Sequence, residues 1–209
     1  SRTLPVLDEA RAQVLRALDL DRRLEPVAPG GAPTRPAIER YTGVLYRELD
    51  AASLDAPARR RLNQQVLIAS GVFGLVAPRD PVPDYRTKMG DRVTPMGRLA
   101  TWWRPQLTAA LAERVKGAEV WDLLPAEHAA ALDWNQLQPR RRVTVRFVDH
   151  RGVTVSHWNK LLKGSLVRWL VEGGGPDLAE FEHPQGYRLD RRASRSVAAR
   201  DELVLRQEP

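Results

Sequence analysis

A group of polar side chains that could transfer protons or bind anions lies within 15 residues of this chain. Its members are Asp149, His150, His157, Asn159, Lys160 and Lys163. A histidine exchanges its proton near neutral pH, and a lysine ammonium group binds phosphate or carboxylate. The group therefore indicates a proton-transfer site or an anion site. The alternatives are a surface histidine in a turn and a solvated helix face, and the spacing fits these as well.

A strand and a tight turn are predicted to position the start of this group. Between residues 143 and 147, valine and phenylalanine alternate with Thr144 and Arg146, as in a half-buried strand. His150-Arg151-Gly152 then provides the turn into a second extended piece, Val153 to Val155.

A helix is predicted from Trp158 onward. Its apolar residues recur at spacings of three and four, and they are Leu161, Leu162, Leu166, Trp169 and Leu170. Lys160, Lys163 and Arg168 lie between them, so one face is apolar and the other is cationic. We expect the helix to end at Gly173-Gly174-Gly175.

A proline-rich segment, Pro78 to Gly97, is predicted to be an extended ordered loop. A long loop without an apolar period usually means function or disorder. Its residues suited to anion or proton chemistry are Tyr85, Arg86, Lys88 and Arg92. If the loop folds over the cationic helix, Lys88 and Lys163 could bind one phosphate or carboxylate while His150 exchanges a proton.

The composition allows a substantial core and a polyanionic partner. The 209 residues are 43% hydrophobic, which suits one large domain. Lysine and arginine outnumber aspartate and glutamate by 33 to 26, so the net charge is +7. The surplus is almost all arginine, which favours bidentate phosphate contacts but is also typical of GC-rich genomes.

Missing residues and motifs exclude several classes of function. The chain has no cysteine, which rules out disulfides, thiolate metal ligands and cysteine nucleophiles. It contains no P-loop, dinucleotide-binding glycine motif, serine nucleophile elbow or zinc-ligand spacing, so we expect no cofactor and no metal site. No apolar run reaches the roughly 18 residues of a membrane span. The first residues do not form a secretory signal, and we therefore expect a cytoplasmic protein without a membrane partner.

The remaining elements alternate between helices and short strands. Helices are predicted at Leu7 to Leu20, Ala37 to Asp50 with a break at Thr42-Gly43, Ala56 to Gln65, Leu99 to Leu111, and Pro125 to Leu132. Strands are predicted at Val66 to Ala69, Glu119 to Leu124, Tyr187 to Leu189, and Glu202 to Leu205. This order indicates an α/β (α+β) domain in which helices flank a mixed sheet.

Four local features carry more specific expectations. Arg11 falls on the polar side of the first helix. Pro26 to Pro36 is rich in proline and glycine and is the best candidate for a hinge. Gly71 to Gly74 follows a predicted strand and is either a packing turn, which a lone pair of glycines favours, or a ligand site, because ligands bind at that end of a strand in open α/β sheets. Arg140-Arg141-Arg142 is either a solvated edge or a phosphate contact.

Five short segments also stand in a characteristic order. They are Tyr41-Thr42-Gly43, Ser70-Gly71-Val72-Phe73-Gly74-Leu75, Pro83-Asp84-Tyr85-Arg86 with Lys88-Met89-Gly90, Phe147 to Gly152, and Asn159-Lys160-Leu161-Leu162-Lys163-Gly164. Together they resemble the landmarks of the YaaA family, the bacterial peroxide-stress proteins. The resemblance implies a mixed α/β fold of its own type with a basic cleft and a cytoplasmic location. It also implies binding of double-stranded DNA and a role in limiting oxidative damage linked to intracellular iron.

Two departures from the family pattern matter. Family members usually begin with an apolar strand that ends in a Pro-Ser or Pro-Ala turn, and this chain has no such start. Some members carry a helix-hairpin-helix-like segment credited with DNA backbone contacts, and Pro26 to Pro36 stands at that place. We therefore expect one YaaA-like domain over residues 1–209 that lacks the N-terminal strand.

Two main functions from different classes follow, with a structural role as the third. The first is DNA binding in a positively charged cleft, with anion contacts from Arg40, Thr42, Arg86, Lys88, Arg92, Lys160 and Lys163. The second is an enzyme that acts on a small anionic or nucleotide-like metabolite in the same cleft, with Tyr85, Lys88, His150, Asn159 and Lys163 around the substrate. A steep fall of affinity with salt would favour the first, and loss of turnover with a retained fold in Lys163→Ala would favour the second.

Overall fold

The computed structural model of the chain describes residues 3–18, 34–175 and 177–208. Its helices and strands form the mixed α/β architecture expected from the sequence. The chain divides into two compact units. The first comprises Ser1–Arg40, Val66–Lys116 and Leu124–Gln138, and the second comprises Tyr41–Gln65, Gly117–Leu123 and Pro139–Pro209. The predicted hinge, Pro26 to Pro36, lies outside the described residues as far as residue 33.

The α-helices of the described residues lie where the sequence predicts helices, although most of their bounds differ from the predicted ones. In chain order they are α1 (Asp8–Ala17), α2 (Ala37–Arg40), α3 (Val44–Leu49), α4 (Ala56–Gln65), α5 (Leu99–Val115), α6 (Ala126–Ala129) and α7 (Ser156–Glu172). Helix α4 has its predicted bounds, and the break between α2 and α3 includes Thr42-Gly43. Gly173 ends α7 with a φ of 110°, in the left-handed region that favours glycine.

The strands include several that the sequence pattern does not predict. They are β1 (Arg35–Pro36), β2 (Ile68–Ser70), β3 (Gly74–Val76), β4 (Pro81–Val82), β5 (Arg92–Val93), β6 (Gly97–Arg98), β7 (Glu119–Asp122), β8 (Arg141–Val148), β9 (Tyr187–Leu189), β10 (Arg195–Val197) and β11 (Arg200–Gln207). The predicted loop Pro78 to Gly97 thus contains short strands. The sequence pattern does not predict them, because two residues are too few to show the alternation of a strand.

The second unit is built around a five-stranded mixed sheet. Strand β11 pairs in parallel with β8, from Arg200 opposite Arg142 to Arg206 opposite Val148, and β8 pairs in parallel with β7. Strands β9 and β10 pair antiparallel with β11. The core of this unit comprises Val143, Val145, Phe147, Leu162, Leu166, Leu178, Phe181, Tyr187, Leu203 and Leu205. The sheet and the apolar face of α7 therefore bury each other, as the alternation in β8 and the spacing in α7 predict.

The cationic side of α7 is only partly solvated. Lys160 is exposed, but Arg168 donates from Nη1 to the carbonyl oxygen of Leu49, the last residue of α3, at 3.1 Å. At Gly164 the two helices approach so closely that a Cβ atom would lie 2.3 Å from the Leu45 carbonyl oxygen. The alternative of a wholly solvated helix face is therefore wrong for α7.

The first unit contains three two-stranded antiparallel ribbons, which pair β1 with β4, β2 with β3, and β5 with β6. Strand β2 overlaps the predicted strand at Val66 to Ala69. Within the described part of the chain it pairs only with β3, so Gly71 to Gly74 closes a hairpin. Of the two alternatives for this turn, the ligand site at the carboxyl end of an open α/β sheet does not apply, and the close approach of Gly71 to Lys88 supports the packing turn.

Arg11 of α1 is buried, whereas the helical spacing predicts it on the polar side. Only 2% of the residue is exposed. Its Nε donates to the carbonyl oxygen of Phe73 (3.1 Å), and its Nη2 donates to those of Leu75 (2.7 Å) and Thr3 (2.8 Å). Its Nη1 donates to the Asp8 carboxylate at 2.7 Å and to the carbonyl oxygen of Leu4 at 3.3 Å. A guanidinium group whose donors are all paired can be buried, and the amphipathic pattern does not reveal such pairing.

Replacing Arg11 with methionine should lower the free energy of unfolding by about 3 kcal/mol, because the carbonyl oxygens of Phe73 and Leu75 lose a charged donor. Urea unfolding measures this change. Arg16→Met, at an exposed position of the same helix, is the matched control and should cost less than about 0.5 kcal/mol. Equal stabilities of the two variants would contradict the structural role of Arg11.

Candidate functional site

The segment from residue 83 to 89 in the first unit presents cations on one side. Its exposed residues are Asp84, Arg86 and Lys88. Tyr85 lies on the other side, as does the fully buried Met89. This alternation is that of an extended chain, in which side chains two positions apart face the same way about 6.6 Å from each other. Arg86 and Lys88 are therefore neighbours at the surface.

Two contacts fix this segment to the glycine-rich turn between β2 and β3. The Tyr85 hydroxyl oxygen lies 2.5 Å from the Ser70 Oγ. A Cβ atom on Gly71 would lie 2.7 Å from the carbonyl carbon of Lys88, so only glycine allows the two backbones to approach this closely. Two of the landmark segments thus meet in the fold.

Further hydrogen bonds hold the end of the segment. The Gly90 amide donates to Glu127 Oε1 at 2.7 Å, and the Lys88 amide donates to Asp91 Oδ2 at 2.8 Å. The first two amides of α5 donate to the carbonyl oxygens of Asp91 and Met89, both at 2.9 Å. The backbone beneath the exposed cations is therefore fixed by turn, helix and side-chain contacts.

A surface cavity of about 600 Å³ opens beside Gly90. Its lining residues are Gly90, Arg98, Ala100, Thr101, Arg104, Ala126, Glu127 and Ala130. Arg104 donates from Nε to the carbonyl oxygen of Ala130 at 2.8 Å. Its Nη atoms and the guanidinium of Arg98 have no hydrogen-bond partner in the described part of the chain. The volume falls in the range of small-molecule sites, about 300–1,000 Å³.

Four of the predicted anion contacts belong to the first unit, and they are Arg40, Arg86, Lys88 and Arg92. The side chains of Arg86, Lys88 and Arg92 are exposed and make no hydrogen bond or ion pair with any described residue. Arg40 is half-buried and donates from Nε to the carbonyl oxygen of Val82 at 3.2 Å. Arg40 is therefore committed in part to the fold.

Lys163 lies in the second unit and is partly withdrawn from solvent. Its Nζ donates to the carbonyl oxygen of Leu123 at 3.0 Å. Burial lowers the pKa of Lys163, and the negative charge of Asp122 acts in the opposite direction. Asp122 is itself buried and accepts hydrogen bonds from Arg142 at 2.6 and 3.1 Å. Lys163 thus anchors α7 to the residue after β7.

The other predicted residues of the second unit are not joined into one constellation. The exposed members are Thr42, His150 and Lys160. His150 Nε2 accepts a hydrogen bond from Arg151 Nε at 3.3 Å. The side-chain oxygen of Asn159 is buried without a hydrogen-bond partner among the described residues. No side-chain hydrogen bond in that part of the chain joins His150, Asn159 and Lys163, and the side chain of His157 lies outside it.

Asp149 shapes the turn after β8. Its Oδ1 accepts hydrogen bonds from the amides of Val153 (2.8 Å) and Arg151 (2.9 Å). These backbone hydrogen bonds, with that from Val153 the larger, lower the pKa of Asp149. The carboxylate therefore stabilises the turn predicted at His150-Arg151-Gly152.

The three adjacent arginines at residues 140–142 belong to ion pairs. Arg140 lies 3.8 Å from Glu119, Arg141 pairs with Glu119 (3.2 Å) and Asp201 (2.5 Å), and Arg142 pairs with Asp122 (2.6 Å). These pairs connect β7, β8 and β11 across the sheet. Neither a simple solvated edge nor a free phosphate contact therefore describes this run.

The sequence pattern predicts neither Glu127 nor a partly buried chain of hydrogen bonds that ends at the buried His183. In this chain of hydrogen bonds, Ser165 Oγ donates to Glu48 Oε1 (2.9 Å), and His183 Nε2 lies 3.1 Å from the same Oγ. His183 Nδ1 accepts from the Gln185 amide at 3.2 Å, so the neutral ring carries its proton on Nε2. Ser165 is therefore not activated as a nucleophile, because Nε2 has no lone pair to accept its proton. No local sequence pattern links these residues, which meet only through tertiary packing.

Burial lowers the pKa of His183 below its ordinary value of 6.5, and Glu48 opposes part of this change. The fold keeps His183 neutral while the unfolded chain binds a proton, so the free energy of unfolding should fall as pH falls from 6.5 toward the lower folded-state pKa. Thermal unfolding at about pH 7.5 and about pH 5.5 measures this.

His183→Gln should reduce that pH dependence, because glutamine has no titratable group in this range. His150→Gln removes an exposed histidine instead and is the control, with the pH dependence of the unchanged chain. An unaltered pH dependence in His183→Gln would show that another group is responsible.

Metal-ligating clusters and membrane-spanning helices are both absent from the described residues. Within residues 3–18, 34–175 and 177–208, no three histidine, aspartate or glutamate residues converge in a way that could hold a metal ion. None of the described helices combines the length and apolar character needed to cross a bilayer.

The sequence matches a known protein family over most of its length. The family model described as peroxide stress protein YaaA matches residues 7–193. The chain is 41% identical over 169 residues to a UPF0246 protein of Streptomyces coelicolor. The alignment covers 78% of the chain and 65% of that protein. It is 36% identical over 173 residues to a UPF0246 protein of Corynebacterium glutamicum, with coverage of 76% and 66%. The aligned part therefore spans slightly less than two thirds of these two relatives.

Proposed function

We propose that this chain, which belongs to the YaaA family of peroxide stress proteins, binds double-stranded DNA through exposed cations of its first unit. Family membership supports a peroxide-stress-related role. DNA binding, the positively charged cleft and a cytoplasmic location belong to the proposal.

The observation that carries the proposal is a fixed pair of unpaired cations. Arg86 and Lys88 face solvent from a backbone held by Ser70, Gly71 and Glu127. No described acid pairs with either cation. Such cations can bind phosphate without first breaking an ion pair, and a fixed backbone reduces the entropy lost on binding.

Other predicted contacts contribute in different degrees. Arg92 and Lys160 are exposed, and the net charge of +7 attracts a polyanion from a distance. Arg40 and Lys163 already donate to carbonyl oxygens, so we assign them a smaller share of phosphate binding.

Phosphate binding connects to peroxide stress through the counterions of DNA. A protein that neutralises phosphates releases the cations condensed around them. Iron(II) held at DNA gives one electron to hydrogen peroxide and becomes iron(III), while the peroxide splits into hydroxide ion and a hydroxyl radical that attacks nearby nucleotides. We propose that displacement of such cations is how DNA binding by this chain protects DNA.

Replacing both Arg86 and Lys88 with alanine should weaken binding to a labelled DNA duplex and flatten its dependence on salt. Each neutralised phosphate contributes about 0.9 to the slope of log affinity against log salt, so the double variant should lose about 1.8 of slope. Fluorescence anisotropy over a salt series measures both quantities.

The matched control is Arg47→Ala with Arg60→Ala, which removes the same charge from α3 and α4. Both arginines are exposed and have no side-chain partner among the residues that the structure describes. The control should retain most of the slope of the unchanged chain. Equal losses in the two double variants, or no duplex binding by the unchanged chain, would overturn the proposal.

A small anionic or nucleotide-like metabolite is the second candidate partner, and the cavity beside Gly90 favours it. Arg98, Arg104 and Thr101 line this cavity, and guanidinium groups bind phosphate or carboxylate bidentately. Tyr85 and Lys88 belong to the same unit as the cavity. His150, Asn159 and Lys163, the other predicted catalytic residues, belong to the second unit.

Thermal unfolding in the presence of inorganic phosphate, ATP or GMP tests this second candidate. A ligand at a hundredfold excess over its Kd stabilises the fold by about 2.7 kcal/mol, so the unfolding midpoint should rise. Arg98→Ala should lose the rise, whereas Arg86→Ala should keep it. No rise with any of the three probes would remove the second candidate.

A further inference from the structure

We infer that the hairpin formed by β10 and β11 is a second DNA-contact surface, which enters the major groove of a duplex. The inference rests on the proposed function, because it concerns the same partner. The hairpin lies within the second unit and pairs Arg195 with Glu202 and Val197 with Arg200. Ala198-Ala199 forms its two-residue connection.

The outer part of the hairpin has no buried face. All six residues from Arg195 to Arg200 are exposed, and 71% of Val197 is accessible. Successive side chains of a strand face opposite sides of a sheet. A strand packed on one side therefore buries every second side chain, as β8 does at Val143, Val145 and Phe147. A ribbon exposed on both sides is not packed by the described rest of the chain, so it is accessible to a partner.

The hairpin and the turn before it are cationic, and the neighbouring acids are already paired. Residues 191–200 contain no aspartate or glutamate and four arginines, namely Arg191, Arg192, Arg195 and Arg200. The acids around them form ion pairs elsewhere, namely Asp190 with Arg206 (2.7 Å), Asp201 with Arg141 (2.5 Å) and Glu202 with Arg146 (3.1 Å). The sheet arginines thus neutralise the acids that could otherwise neutralise the hairpin.

Two of these arginines, Arg195 on β10 and Arg192 in the turn before it, are unpaired in the described part of the chain. Neither Arg192 nor Arg195 makes a side-chain hydrogen bond or ion pair there. Arg195 stands opposite Glu202 in the ladder, but the Glu202 carboxylate accepts from Arg146 instead. Phosphate binding at these arginines therefore breaks no existing pair, and the partner that best fits their charge is a polyanion.

The dimensions of the ribbon select one groove of DNA. Two paired strands lie about 4.8 Å apart, and three residues extend about 10 Å. The major groove, about 12 Å wide and 8.5 Å deep, admits a two-stranded ribbon, whereas the minor groove is only about 6 Å wide. Within the major groove, Val197 can contact thymine methyl groups, and Arg195 can reach guanine edges or the phosphates at the rim.

The same dimensions distinguish DNA from RNA duplexes. The major groove of A-form RNA is deep and too narrow for side chains to read. The hairpin should therefore contribute to the binding of a DNA duplex and not to that of an RNA duplex of the same sequence.

Arg192→Ala with Arg195→Ala in the full chain tests the inference. On a labelled DNA duplex, the double variant should lose affinity by about tenfold or more and lose about 1.8 of salt slope. On the RNA duplex, its affinity should match that of the unchanged chain. Arg47→Ala with Arg60→Ala is the charge-matched control, and unchanged thermal unfolding midpoints verify that both variants are folded.

Each outcome separates this inference from the proposed function. A loss on DNA no greater than that of the control, or an equal loss on RNA, would overturn the groove contact and leave DNA binding by the first unit intact. A loss in the hairpin variant alongside unchanged binding by Arg86→Ala with Lys88→Ala would support the hairpin and overturn the assignment to the first unit. Failure of the unchanged chain to bind either duplex would overturn both.

Discussion

A buried guanidinium group holds the part of the first unit on which the candidate site depends. Arg11 donates to the carbonyl oxygens of Phe73 and Leu75, which lie in and just after the turn that begins at Gly71. Gly71 in turn touches the backbone of Lys88. Because a buried charge costs several kcal/mol unless its donors are paired, the turn cannot shift without a large loss. Helix α1, remote in sequence, therefore fixes the backbone that carries the exposed cations.

Elements with a strong period could be predicted from the sequence, and elements defined by pairing could not. Helix α4 and strand β9 have their predicted bounds. In an amphipathic segment the spacing of the apolar residues indicates both the type of element and its buried side. Strands of two residues, such as β5 and β6, are too short to show such spacing. The burial of Arg11 was missed for a related reason, since its acceptors come from another part of the chain.

The sequence proposes residues for the candidate site but does not show which of them are in contact. The sequence identifies Tyr85, Lys88 and Gly71 as landmarks, but only the fold places the first beside Ser70 and the other two against each other. Prediction of the role of each arginine from the sequence has the same limit. Those of β8 pair with acids on neighbouring strands, while Arg195 is left unpaired among the described residues, and composition alone treats them alike.

The parallel ladder between β8 and β11 has a consequence for the order of folding. Its partners are separated by about 60 positions along the chain, so the loop between them must close before any of these bonds forms. The backbone hydrogen bonds within helix α7 and within the turn after β8 are local, so these two elements can begin to form earlier. Until β11 pairs, one edge of β8 is exposed beside an apolar face. The charged side chains of Arg142 and Arg146 should then oppose aggregation at this edge. The same arginines that balance acids in the finished sheet therefore protect the strand while its partner is still absent.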